Sequence, residues 1–287
     1  KYSLLSDNKI TVIFDLVLRK YGLLKYIKHP LLIILLFSFA LRMMWLTTTI
    51  EGDEGMYGYF AMLWNRGQVP YRDFPADRFP LNYVLYLIVI HIFGNSIIPV
   101  RMLNNFLFLL SMVALYLVAN CWFGKRTALL STLFYGLFMN APAFQAHMAM
   151  NESLAIPFTI FSILFCRSLS NLKRKSLFIS GIFIAAAILI RPSEGIVIIL
   201  LLIMVILARH NSYKDNNETG FAKNLLADMV ILFVGFIIPI LAFIWYLWSN
   251  SALQAFIKYA ITIFLPGGRY FSPDRPDVEF GVKFLTV

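Results

Sequence analysis

Three carboxylates, Glu51, Asp53 and Glu54, follow directly on an apolar run in the stretch "TTTIEGDEGMYGYF". A carboxylate held at a membrane surface can abstract a proton from a hydroxyl as a general base, or it can simply begin a helix. Comparable positions, in the following loop or at the ends of other apolar runs, are taken by Asp73, Asp77, Arg78, Arg101, His147, Glu152, Arg191 and Glu194. Arginine suits phosphate, because its planar fork holds two oxygens and stays charged. The chemistry these residue types can do together is proton abstraction beside anion binding. Charges at membrane depth are expensive and tend to be paired and functional.

Composition says what must position them. The chain has 287 residues, of which 60% are hydrophobic and 14% charged. Soluble domains carry about 45–50% apolar and about 25% charged residues, so this chain is expected in a membrane. Lys and Arg outnumber Asp and Glu by 25 to 15. The excess is split among short loops, which fits cytoplasmic loops and leaves no stripe for nucleic acid. Cys121 and Cys166 show neither metal-ligand spacing nor a disulfide framework.

Residues 30–50 are long enough to cross a hydrocarbon core of about 30 Å, which takes about 20 helical residues. The segment 1–29 is rich in Lys and Arg, so the N-terminus is expected in the cytoplasm. Further apolar runs lie at 80–94, 99–121, 127–146, 152–169, 176–190, 194–208 and 225–249. If 80–94 crossed, Lys125, Arg126, Arg167, Lys173, Arg174, Lys175, Arg209, Lys214 and Lys223 would all face outward. If it lies in the interface, all nine face inward and the positive-inside rule holds. The expected fold class is therefore all-α: a polytopic helical membrane protein with about seven transmembrane helices. Its catalytic module spans 30–249, with a first external loop over 51–98. Met56, Tyr59, Phe60, Leu63 and Trp64 recur at helical spacing after Asp53. They predict an amphipathic interfacial helix. Residues 251–265 predict another, inside an external segment 250–287.

The stretch "GDEGMYGYFAMLWNRGQVPYRDFPADRFPLNY" resembles the first external loop of GT-C-class glycosyltransferases, and in particular protein O-mannosyltransferases and lipid A aminoarabinose transferases. The likeness rests on the pair Asp53-Glu54, on Asp77-Arg78-Phe79-Pro80-Leu81, and on "WFGKRTALL", "MAMNESLAIPF" and "ILIRPSEG". The chain departs from the family at Arg78 and Arg191, where Lys is usual, at Phe79 in place of Pro, and at Glu152 in place of Asp. The resemblance implies transfer of a sugar from a polyprenyl- or dolichyl-phosphate donor to a hydroxyl of a protein, glycan or lipid, on the extracytoplasmic face. It also implies further spans beyond residue 287.

A phosphate leaving group departs as a stable anion, so one carboxylate suffices, unlike glycoside hydrolysis with its two. The resemblance assigns the base to Asp53, with Glu54 beside it. Arg78, Arg191 and Arg101 are the candidates for the donor phosphate, and Asp77 and Glu152 are supporting acids. No cofactor is assigned with certainty; a divalent metal ion remains open, with Asp77, His147 and Glu152 as weak candidate ligands. Each residue also has a plainer role. Asp53 would cap the interfacial helix, Glu54 or Glu152 would favour a helix N-terminus, Arg78 and Arg101 would snorkel to lipid, and Arg191 would be a loop charge. A lipid-linked-sugar flippase or transporter is the rival reading, and an oligosaccharyltransferase-like enzyme with a lipid-diphosphate donor and a bound metal is a second.

Overall fold

The structure, a computed structural model, describes residues 29–76, 78–167, 173–216 and 221–264. The N-terminal segment, Asp77, the "NET" tripeptide at 217–219 and the tail after 264 lie outside the described residues. All regular elements among the described residues are helical; an isolated bridge joins Pro70 to Phe74.

The first helix, α1 (His29–Met43), ends earlier than the apolar run 30–50 predicts. Thr48 donates its hydroxyl to the Trp45 carbonyl at 2.9 Å, and the chain turns there. The carbonyls of Leu46, Thr48 and Thr49 in this turn are taken up by Arg101. An excursion follows, made of α2 (Gly52–Asn65) and α3 (Pro80–Phe93). Pro80 opens α3, where its missing N–H costs nothing. With 14 residues α3 is about 21 Å long, and α1 with 15 is hardly longer, so both are shorter than a bilayer core of about 30 Å and length alone does not separate them.

Next comes α4 (Ile97–Phe138), whose helical geometry breaks at Gly124 with φ of 80°. Only glycine adopts that conformation readily. The two halves fold back on each other: Ser111 and Tyr135 share a hydrogen bond of 2.9 Å, and the rings of Phe108 and Tyr135 lie 5.6 Å apart. Thus α4 is a helical hairpin, as the separate runs 99–121 and 127–146 predict. The second run is helical only to Phe138, which corrects its expected end. Asn140 donates to the Gly136 carbonyl at 2.6 Å and closes the helix. A short 3-10 turn at Pro142–Phe144 follows.

The remaining elements are α5 (Asn151–Cys166), α6 (Arg174–Ile190), a 3-10 turn (Pro192–Ile196), α7 (Val197–Asn216), α8 (Phe221–Ser249) and α9 (Leu253–Phe264). Contacts at the helix ends show that successive long elements alternate in direction. At one end Arg42 of α1 reaches Asn105 of α4, Ala149 before α5 meets Glu54, Arg191 after α6 meets Glu152, and Arg72 reaches Asn250 after α8. At the other end Trp122 donates to Arg167 at 2.9 Å, and Arg209 of α7 pairs with Asp228 of α8. The α2–α3 excursion leaves and returns at the first end, so 80–93 does not carry the chain through the bundle. The basic residues around Gly124, Lys173, Arg209 and Lys223 all fall at the second end.

Three helices among the described residues are long and apolar enough to cross a membrane: Ile97–Phe138, Pro192–Lys214 and Phe221–Ser249. Large apolar side chains such as Phe233, Trp245 and Trp248 on α8 point out of the bundle, as a lipid-facing surface requires. The tightest packing is between α6 and α8. A Cβ at Gly181 would overlap the Leu232 carbonyl, and one at Gly235 the Phe178 carbonyl. Small residues let helices approach closely where lipid removes the hydrophobic drive for association.

Candidate active site

The described polar residues singled out in the sequence, Asp77 excepted, lie at the end of the bundle where α2 and α3 lie, in two layers: one buried, one open. The buried layer is built on Arg101 near the start of α4. Its Nε lies 3.0 Å from Glu54 Oε1 and its Nη2 2.5 Å from Oε2. It also donates to the carbonyls of Leu46 at 3.0 Å, Thr48 at 2.7 Å and Thr49 at 3.1 Å. Glu54 in turn accepts from the Ala149 amide at 3.1 Å. Neither side chain of the pair is more than 1% exposed. Glu54 and Arg101 are thus committed to each other and to main-chain groups, and are closed off from solvent. They join the ends of α1, α2 and α4 to the loop before α5.

The same loop is held by other buried side chains. Arg42 donates to the Ala146 carbonyl at 2.6 Å and sits 4.0 Å from the centre of the Phe108 ring. Asn104 donates to Ala146 at 3.2 Å and Met148 at 2.9 Å, and Tyr86 to Ala149 at 2.7 Å. His147 is buried beneath Trp45, with ring centres 4.7 Å apart. Burial first, then the guanidinium groups of Arg42 and Arg101, hold its imidazole below the usual pKa.

The open layer contains Asp53. Helix α2 has Glu51 as its N-cap, in extended conformation, so Asp53 lies inside the first turn and is not the cap residue. Arg78, just before α3, brings its Nη2 to 3.4 Å from Asp53 Oδ2, and both side chains are partly exposed. Tyr57, one turn along α2, donates to Asp53 Oδ2 at 3.4 Å and accepts from Arg78 Nε at 3.3 Å. The main chain of Arg78 is fixed too: its amide donates to Tyr83 at 3.0 Å, and its carbonyl accepts from Tyr71 at 2.7 Å. The predicted apolar stripe on α2 included Phe60 but not Tyr57; the buried residues of this helix are Glu54, Tyr57, Gly58, Phe60 and Ala61. Glu54, Tyr57, Gly58 and Ala61 follow the 3- and 4-residue steps of one helical face, a signal hidden by the small and polar side chains in it.

Arg191 ends α6, and its Nη2 lies 3.5 Å from Glu152 Oε1, with both side chains well exposed. Glu194 accepts from Thr159 at 2.8 Å. Two further ionic groups complete the picture. Asp73 pairs with Arg72 at 2.8 Å and accepts from the Val69 amide at 2.7 Å; that guanidinium, then the amide, lowers its carboxyl to about 2. At the opposite end, Asp228 is fully buried against Arg209 at 2.6 Å, with Arg174 at 3.8 Å. Sequence reading missed this pairing, since nothing local marks Asp228 as a partner for α7.

The described residues contain no group of three His, Cys, Asp or Glu side chains that could hold a metal ion. The guanidinium groups of Arg42 and Arg101 lie near enough to His147 to lower its pKa, while Glu54 and Glu51 act in the opposite sense.

Residues 77–245, more than half of the chain, match the family described as dolichyl-phosphate-mannose-protein mannosyltransferase. The chain belongs to that family. No curated protein matches it. Membership makes it a mannosyltransferase-like membrane glycosyltransferase of the GT-C type, for which the family implies a dolichyl-phosphate-sugar donor and an acceptor. The matched segment includes Arg78, Arg101, Glu152 and Arg191; Asp53 lies upstream of it, so its role rests on the geometry around Arg78.

Proposed function

We propose that this protein transfers a sugar from a polyprenyl- or dolichyl-phosphate donor to an acceptor hydroxyl at the extracytoplasmic face, with inversion at the anomeric carbon. One observation carries the reading: Asp53 and Arg78 stand side by side, 3.4 Å apart and partly open, at the end of an apolar bundle. A base and a phosphate-binding cation are the minimum this reaction needs. The acceptor oxygen attacks the anomeric carbon as its proton passes to Asp53. The bond to the donor phosphate breaks, and its electron pair leaves with the phosphate, whose charge Arg78 neutralises. Arg191, held near the same end by Glu152, is the second candidate for that phosphate, and Asp77 a supporting acid. The acceptor is a hydroxyl of a protein, glycan or lipid.

Charge supports this face. The basic residues at the other end of the bundle fit the cytoplasmic side, which leaves Asp53 outside. Seven crossings, by α1, the two halves of α4, α5, α6, α7 and α8, agree with that arrangement. Interfacial α2 and α3 hold the donor headgroup near Asp53 while its chain stays in hydrocarbon. Charged groups clustered at the two ends support an enzyme over a transporter, which needs a polar path across.

The experiment is sugar transfer in membranes bearing the protein, from radiolabelled polyprenyl-phosphate sugar, comparing wild type with Asp53→Asn. Removal of a general base is expected to slow transfer by about 10²–10⁴-fold. Wild-type rates in the variant would sink the assignment of Asp53.

A further inference from the structure

We propose that Tyr57 is a positioning residue for transfer: it ties one oxygen of Asp53 to Arg78 and leaves the other oxygen to act as the base. The inference rests on the reading of Asp53 given above, and deepens it. Arg78 Nε donates to the Tyr57 hydroxyl at 3.3 Å. A guanidinium has no acceptor, so the hydroxyl can return nothing to Arg78. Its proton is directed to Asp53 Oδ2, 3.4 Å away. The same Oδ2 receives Arg78 Nη2 at 3.4 Å. Two donors therefore converge on Oδ2, while Oδ1 accepts no hydrogen bond from the described residues.

The phenol is well placed to set this geometry because it is itself immobile. Tyr57 is 1% exposed, and its ring meets Tyr83 and Tyr86 edge-on, with centres 6.0 and 5.9 Å away. Tyr83 and Tyr71 meanwhile hold the main chain of Arg78 on either side. Rotation of the carboxylate is thus limited by a buried ring on one side and an anchored arginine on the other. During transfer the acceptor oxygen bonds to the anomeric carbon and its proton moves to Oδ1. The anomeric C–O bond to phosphate breaks, and Arg78 can move to the leaving anion while Tyr57 keeps Asp53 oriented. Misplacement of a reacting group by a small distance is costly in rate.

The test compares wild type, Tyr57→Phe, Asp53→Asn, the double variant, and Ser180→Ala, each as purified full-length protein assayed with polyprenyl-phosphate sugar and normalised to folded material by size-exclusion chromatography. Tyr57→Phe keeps the ring and its packing. Its kcat is expected to fall about tenfold or more, the scale of a lost hydrogen bond to a charged group, with donor KM unchanged. In the Asp53→Asn background the same substitution is expected to have no further effect, because the group it orients is gone. Ser180→Ala, which loses an equally buried hydroxyl that donates to the Ser162 carbonyl between α5 and α6, away from the site, is expected to keep kcat. Wild-type kcat in Tyr57→Phe, or an equal loss in both backgrounds, would overturn the proposal and leave Asp53 as the base. Wild-type transfer by Asp53→Asn would instead remove the reading on which the proposal rests.

Discussion

Glu54 and Arg101 meet through two nearly parallel contacts of 3.0 and 2.5 Å, with both side chains sealed from solvent. Glu54 is adjacent in sequence to Asp53 yet has a separate task. It locks the start of α2 to α4 and to the turn after α1, so that Asp53 leaves α2 in a fixed direction.

Breaking that pair leaves a buried charge without its partner. Arg101→Ala or Glu54→Ala is expected to cost about 3–5 kcal/mol of stability, read as a lower melting temperature in detergent. Because the residues act as a unit, the double variant should lose far less than the sum of the singles. Full additivity would mean that the two do not depend on each other.

The α6–α8 contact makes a second prediction. Gly235→Ala places a Cβ against the carbonyl of Phe178, where only backbone could move aside. Overpacking of this kind costs about 1–3 kcal/mol, so thermal stability should fall, while Gly52→Ala, with nothing within 4 Å of a new Cβ, lacks that clash. A melting temperature for Gly235→Ala at the wild-type value would contradict the close crossing.

His147 supplies the pH dependence. Its folded pKa lies below the ordinary 6.5 because burial and two guanidinium groups disfavour the charged ring. The unfolded chain therefore binds more protons in the window just below 6.5, and stability rises with pH there. The contribution is complete above 6.5 and is lost as pH falls toward the folded value. Thermal melts of wild type against His147→Gln between pH 7.5 and about 5 check this: the wild type should lose more on acidification. Parallel curves would show that His147 is not responsible.

Much of the architecture is legible in single stretches of sequence. Apolar runs predict the long helices, and a glycine beside lysine and arginine predicts the turn of α4. The Lys and Arg distribution separates 80–94 from the elements that run the length of the bundle. These are local signals: a helix depends on residues three and four apart, and loop charge can be counted without knowing any contact. The pairing of Asp53 with Arg78 was legible as residue types within one loop, though not as a distance.

What tertiary structure decided are the partners. Arg101 lies 47 positions from Glu54, and in sequence it looked as suitable for a phosphate as Arg78. Burial alone separates them: the first is enclosed by carbonyls from the end of α1, while the second stays partly open. Nothing in the sequence singled out Tyr57; its role depends on α3, which places Tyr83 and Tyr86 against its ring and Arg78 beside its hydroxyl. Asp228 had no visible partner until α7 ran back alongside α8. The sequence by itself determined that this chain forms apolar helices with charges at their ends. Which charges neutralise each other inside, and which remain open to a substrate, depends on contacts between distant segments, because desolvation acts only once those segments have packed.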